Sequence, residues 1–146
     1  MVGLSATVLA YLLGSIPFGY LIVRWRKGID VRTTGSKSIG ATNVMRNLGI
    51  TGFIATFILD ASKGFVSVML ALILTGNDPR WIAAAGLAAI SGHIFPIWLD
   101  FRGGKGVSTS VGVFFALAPV AMSKATVIAL NLPTTIPQSP EALVTL

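Results

Sequence analysis

The chain has 146 residues, is 53% hydrophobic and only 11% charged, and carries a formal charge of +6; its mean hydropathy is +0.81. A charge fraction well below the roughly 25% of soluble domains points to a lipid environment, and the absence of cysteine excludes a disulfide framework, a thiolate metal site and a cysteine nucleophile. The basic excess does not describe a nucleic-acid binder: six of the eleven Lys and Arg residues fall in residues 24–46, directly after an apolar run, which is the mark of a cytoplasmic loop under the positive-inside rule.

Four apolar segments are predicted in chain order. Residues 2–23 carry no charge and are long enough to span a bilayer. No Lys or Arg precedes them, so they read as a span and not as a cleaved signal peptide. Pro17, between Gly14 and Gly19, is placed to kink this run or end it early. Residues 50–75 form the second segment, interrupted by Asp60 and Lys63. Residues 81–99 form the third and contain His93, the one histidine of the chain. Residues 107–130 form the fourth, weakened by Pro119 and Lys124. Small residues at 83–86 and 88–89 allow close helix contact, and Trp25, Trp81 and Trp98 mark membrane interfaces. The expected fold is all-α: a polytopic integral membrane helical bundle with three to four transmembrane helices. Residues 1–130 make the membrane-embedded domain, and residues 131–146 a Pro- and Thr-rich irregular tail.

Charge sets the orientation. With the basic loop 24–46 in the cytoplasm, the second segment exits, the short turn 77–80 lies outside with no net charge, and the third segment brings Arg102 and Lys105 back. The two polar, glycine-rich loops are therefore expected to meet on one face.

Those loops carry the chemistry. In the second, His93 precedes a Gly103-Gly104-Lys105-Gly106 turn. Glycines let several backbone N–H groups converge on one anion, and lysine adds a positive charge. This is not a nucleotide P-loop: Lys105 is followed by Gly106 where Ser or Thr is required, and Leu99 stands at the position of the first glycine. In the first loop, Ser36, Gly40, Thr42 and Asn43 combine turn glycine with hydroxyl and amide groups, and Arg46 suits a bidentate phosphate contact. A helix starting near Ala41 would add its free N–H groups. The plainer reading makes this a basic loop that sets topology only. Asp60 and Lys63 share one helix face; a mutual ion pair and direct substrate contact both fit. There is no cluster of His and acidic residues, so no metal is expected.

The ordered motifs resemble a known family. Gly14-Ser15-Ile16-Pro17-Phe18-Gly19-Tyr20, then Gly35-Ser36 with Ile39-Gly40-Ala41-Thr42-Asn43 and Arg46, then Asp60-Ala61-Ser62-Lys63-Gly64, then Gly92-His93-Ile94-Phe95-Pro96 through Gly103-Gly104-Lys105-Gly106-Val107 are similar to the bacterial acyl-phosphate-dependent glycerol-3-phosphate acyltransferases. The resemblance runs from about Leu9 to about Met122. It implies transfer of an acyl group from acyl phosphate to glycerol-3-phosphate, giving lysophosphatidic acid and phosphate in phospholipid biosynthesis. It implies a multi-pass enzyme of the bacterial inner membrane with cytoplasmic active-site loops, whose partners are the two substrates and the lipid bilayer, without cofactor or nucleic acid. By the same resemblance Ser36 and Arg46 are needed for activity and His93 lies near the bound phosphate; these three are the expected catalytic residues. Gly40, Thr42, Asn43, Lys63, Gly103, Gly104, Lys105 and Gly106 bind substrate or phosphate, and Asp60 supports them. His93 and a phosphate oxygen of the substrate both stand as the general base.

Two departures are visible. Lys37 and Ser38 stand where the family usually has Gly and Asn. The family's third motif, basic and containing Asn and Glu, is not found after Met122, so the chain reads as an incomplete copy, expected to insert into membranes and to turn over little by itself. The alternative function is a non-enzymatic membrane protein that binds or transports phosphate. Many transporters show internal repeats, and none is visible here.

Overall fold

The computed structural model describes residues 1–131. Five helices follow one another: α1 (Val2–Gly14), α2 (Phe18–Lys27), α3 (Ala41–Leu74), α4 (Pro79–Ile94) and α5 (Val107–Asn131), with short 3-10 turns at Val31–Thr33 and Ile97–Leu99. Val2–Lys27, Ala41–Leu74 and Pro79–Leu99 are long and apolar enough to cross a bilayer, at 26, 34 and 21 residues, and Val107–Pro119 is a shorter apolar stretch. Three spans and a fourth apolar helix fit the expected bundle. The predicted tail lies outside the described residues apart from Asn131, which closes α5.

Helix boundaries follow local chemistry. The first predicted span is two helices. Pro17 has no N–H to donate and adopts φ −92° and ψ 69°, so α1 ends at Gly14 and α2 restarts at Phe18. α2 runs past Val23 and stops at Gly28, a left-handed residue with φ 72° whose N–H caps the Arg24 carbonyl; Arg24, Arg26 and Lys27 sit in its last turn, where the helix dipole favours cations. The second span starts earlier than its apolar run, at Ala41, and bends at Gly49, where φ 73° and ψ −165° leave the helical range. The piece before Gly49 lies under the first loop; the piece after it is the apolar span. Asp78 caps α4 by accepting from the Arg80 N–H at 3.0 Å. The third span is helical only to Ile94, because Phe95 precedes Pro96 and is driven out of helical geometry.

Small residues bring the helices together. A Cβ on Gly14 would fall on the Ala89 backbone, and one on Gly92 on the Tyr11 carbonyl, so α1 and α4 touch through bare backbone. Gly64 and Gly112 do the same for α3 and α5: their missing Cβ atoms face the Thr109 and Ala61 carbonyls. Lipid tails are as apolar as side chains, so such close van der Waals contact, not water exclusion, drives helix association. Ala6, Ala10, Val68, Ala71, Ile82, Ala85, Val113 and Ala116 fill the core. A second cluster of Val23, Val31, Ile39, Val44 and Leu99 ties both loops to one end of the bundle.

Gly112→Val is expected to push α5 off α3 and to destabilise the bundle by about 1–3 kcal/mol. Unfolding in mixed detergent micelles measures it; a variant that unfolds with the wild type would place no helix backbone against Gly112.

Candidate active site

The first loop is held by two devices. Asp30 accepts from the Arg32 backbone N–H at 2.9 Å, and the Arg32 guanidinium grips the same carboxylate, with its Nη2 at 2.8 Å from Oδ2. The Arg32 hydrogen bond holds the Asp30 carboxyl below its ordinary range. Arg32 also donates to the Leu99 carbonyl at 3.3 Å and covers the Tyr20 ring, so it is a staple between the two loops. Asn43 is the second device. Its Nδ2 donates to the carbonyls of Val31, Thr34 and Ser38 at 2.9, 3.1 and 2.8 Å, and its Oδ1 accepts from the Ser36 N–H at 3.0 Å. Buried at 1% exposure, Asn43 wraps the loop around its amide. Lys37 takes φ 56°, a left-handed position that costs a side-chain-bearing residue roughly 1–2 kcal/mol; the departure from the family's glycine falls on a position that favours glycine.

The second loop folds against His93. The Gly103 N–H donates to the Ile94 carbonyl at 3.1 Å and the Gly104 N–H to the His93 carbonyl at 3.0 Å. A Cβ on Gly104 would collide with His93 Nε2, and one on Gly103 with the His93 carbonyl. These glycines let backbone close on the imidazole. Their N–H groups are used within the turn, which corrects the expectation that they converge on an anion.

Between the loops lies a cavity of about 260 Å³, lined by Ser36, Ser38, Gly40, Ala41, Thr42, Asn43, Arg46, Phe53, Phe57, His93, Lys105, Gly106, Val107 and Ser108. Two helix N-termini open into it, that of α3 at Ala41 and that of α5 at Val107. Each offers first-turn N–H groups without intrahelical acceptors, and the dipoles add positive potential. Arg46 and Lys105 supply two full charges. Part of the lining is apolar: Phe53 and Phe57 stack with centroids 5.9 Å apart.

Of the residues predicted from sequence, Ser36, Gly40, Thr42, Asn43, Arg46, His93, Lys105 and Gly106 line this cavity, while Gly103, Gly104, Asp60 and Lys63 stand behind it. Lys63 does not line the cavity. Its Nζ donates to the Ile16 carbonyl at 2.7 Å and lies 2.8 Å from Asp60 Oδ1; of the two roles open to the Asp60–Lys63 pair, the ion pair is the one formed. That contact is ionic and not a well-directed hydrogen bond, since both Asp60 oxygens lack a hydrogen-bond partner. Phe53, Phe57 and Ser108 were not singled out from sequence. The i,i+4 spacing of the two phenylalanines and the position of Ser108 just after the glycine turn were the available signals. Among the described residues no group of three or more His, Asp or Glu side chains could hold a metal ion.

The family model described as "Glycerol-3-phosphate acyltransferase" matches residues 4–138, further along the chain than the motifs alone reach. A glycerol-3-phosphate acyltransferase of Myxococcus xanthus is 50% identical over 117 residues, covering 80% of this chain and 61% of that protein. One of Geobacter sulfurreducens is 51% identical over 119 residues, 82% of this chain and 60% of that protein. The fold matches a crystal structure of PlsY (YgiH), an integral membrane glycerol 3-phosphate acyltransferase, in its glycerol 3-phosphate form, with TM-score 0.76 and 40% identity over 90% of this chain and 66% of that one. The lysophosphatidic acid form of that protein matches with TM-score 0.74. The chain thus spans about three fifths of the length of these curated relatives. With the family match covering nearly all of its length and half of the aligned residues identical, this multi-pass helical membrane protein belongs to the glycerol-3-phosphate acyltransferase family.

Proposed function

We propose that the cavity takes glycerol-3-phosphate and an acyl phosphate and joins them to lysophosphatidic acid. The carrying observation is the convergence of Arg46, Lys105 and two helix N-termini on a cavity with a stacked aromatic wall. The solved relative in glycerol 3-phosphate and lysophosphatidic acid forms supports the same reading.

The chemistry needs little from the protein beyond placement. Acyl phosphate is already activated. The primary hydroxyl of glycerol-3-phosphate attacks its carbonyl carbon, a C–O ester bond forms, the bond from carbonyl carbon to phosphate oxygen breaks, and phosphate leaves with the electron pair. His93 takes the hydroxyl proton and passes it to the departing phosphate. Arg46 and Lys105 hold the anionic groups, Ser36 and Thr42 offer hydroxyl donors, and the helix N-termini stabilise charge that develops on the oxygens. Holding two anions in reacting geometry and presenting fixed donors supply the rate enhancement. Phe53 and Phe57 receive the start of the acyl chain. Gly103 and Gly104 shape the His93 side of the site, and Asp60 with Lys63 braces it from behind.

The assay is turnover of palmitoyl phosphate and glycerol-3-phosphate to lysophosphatidic acid in detergent. It is run on this chain alone and on the chain co-expressed with the remaining part of a longer relative. Turnover is expected in the complemented sample, little from the chain alone, and loss on Arg46→Ala. No turnover in the complemented, folded sample rejects the reading.

The active-site loops are placed in the cytoplasm of a bacterial inner membrane, on the charge of residues 24–46 and of Arg102 and Lys105. The chain has no cysteine, so Lys37→Cys and Arg102→Cys give single labels at exposed positions. An impermeant thiol reagent is expected to reach neither in intact cells and both after the membrane is opened. Labelling of either from outside reverses the topology.

A further inference from the structure

We propose that Asp60 acts through His93: it holds the imidazole as the Nδ1–H tautomer and so leaves Nε2 as the ring's acceptor. Asp60 on α3 and His93 on α4 are both in the interior, exposed at 1% and 2%. His93 Nδ1 lies 3.5 Å from Asp60 Oδ1, and neither that nitrogen nor either carboxylate oxygen has a hydrogen-bond partner among the described residues. The distance exceeds that of a formed hydrogen bond.

Chemistry then selects the proton's place. A carboxylate only accepts. A bare Nδ1 would set lone pair against lone pair in a low-dielectric interior, with both groups unmet. Nδ1 therefore carries the hydrogen, and in a neutral ring Nε2 is the acceptor. Nε2 is turned to the bare Cα of Gly104, where any side chain would collide with it, and His93 is one of the residues lining the cavity beside Lys105. Lys63, at 2.8 Å from the same carboxylate oxygen, balances the charge that lets a carboxylate stand at this depth. Asp60 is thus a positioning residue, and the Asp60–Lys63 pair serves the site by orienting a ring, without touching substrate.

The use made of Nε2 rests on the acyltransferase reading, but the tautomer is measured without turnover. With one histidine in the chain, ¹⁵N-histidine labelling gives one imidazole in long-range ¹⁵N–¹H correlation spectra. These distinguish Nδ1–H, Nε2–H and doubly protonated rings. The full chain in micelles, at alkaline pH, is expected to show Nδ1–H in excess, opposite to the tautomer that predominates in unconstrained histidine. The double variant Asp60→Leu, Lys63→Met removes the acceptor without leaving a lone buried charge, and is expected to lower the Nδ1–H to Nε2–H ratio about tenfold or more. A wild-type ring that is mainly Nε2–H or doubly protonated overturns the proposal, whatever the variant does. So does a folded double variant with an unchanged ratio. In the complemented enzyme the same variant is expected to lower kcat with little change in KM for glycerol-3-phosphate, because Arg46 and Lys105 remain. A tautomer found as expected beside an inactive complemented enzyme would count against the acyltransferase reading alone.

Discussion

Asp60→Leu alone is expected to destabilise the bundle by about 3–5 kcal/mol, the cost of stranding one charge of a buried pair. Asp60 and Lys63 are exposed at 1% and 5%, and among the described residues Lys63 Nζ has only the Ile16 carbonyl and the Phe18 ring besides its partner carboxylate. A carbonyl dipole and an aromatic face do not replace a full negative charge. Removing both charges is different. Asp60→Leu with Lys63→Met removes both members of the buried ion pair, and the remaining penalties are the unpaired Ile16 carbonyl and the His93 Nδ1 left without its carboxylate, about 1–3 kcal/mol each, of which the second is shared with Asp60→Leu. The double variant is therefore expected to be more stable than Asp60→Leu, a reversal that independent sites would not give. Unfolding of the three proteins by titrating denaturing detergent into mild micelles measures it. A single variant as stable as the wild type would show that the pair does not carry charge in the folded bundle.

Lys105→Ala is expected to raise KM for glycerol-3-phosphate ten- to a hundredfold in the complemented enzyme, and to alter the use of acyl phosphate less. The change corresponds to roughly 1.5–3 kcal/mol for one lost charge-assisted contact. Lys105 belongs to the turn directly before α5 and lines the cavity together with the first residues of that helix, so under the proposed function the two would act on one anion. Arg46, in the second turn of α3, lines the same cavity, and under the proposed function it leaves a second phosphate group a cation of its own. Lys105→Arg keeps the charge and is expected to recover part of the loss, limited by the planar fork that replaces a point charge. Steady-state kinetics with each substrate varied in turn decides the matter. An unchanged KM for glycerol-3-phosphate takes Lys105 off that phosphate.

Much of this arrangement is legible in the chain itself. Apolar runs of spanning length, a basic block after the first of them and the glycine turn beyond His93 foretell a helical membrane bundle with two polar loops at one end. Leu99 packing with Val31, Ile39 and Val44, and Arg32 reaching the Leu99 carbonyl, show those loops meeting. Boundaries were less legible. Pro17 announced a break in the first span, but Gly49, directly before the predicted second run, gave no sign that a helix begun at Ala41 would bend there and continue, because a glycine at the edge of an apolar run serves equally as a boundary or a kink. Pro96 stood in the third run, yet hydropathy carried the predicted span on to Leu99, since the measure averages over residues whose backbone has already left the helix.

The site divides along the same line. That Ser36, Asn43, Arg46, His93 and Lys105 belong to segments that would meet on one face could be read from charge and order, and all five line one cavity. What each does could not be so read. Asn43 has the look of a ligand, and its amide is spent on three loop carbonyls and the Ser36 N–H. Gly103 and Gly104 resemble an anion nest, and their N–H groups close on the backbone of His93 and Ile94. Lys63 was as apt for phosphate as for Asp60, and burial beside Ile16 decided it. By itself the sequence determined which segments are apolar, where charge gathers and which residues carry reactive groups, because these are properties of short windows of chain. Tertiary structure alone decided which partner each polar group takes, because a hydrogen bond or an ion pair is formed within about 3 Å, and groups on different helices come to that distance only once the helices have packed.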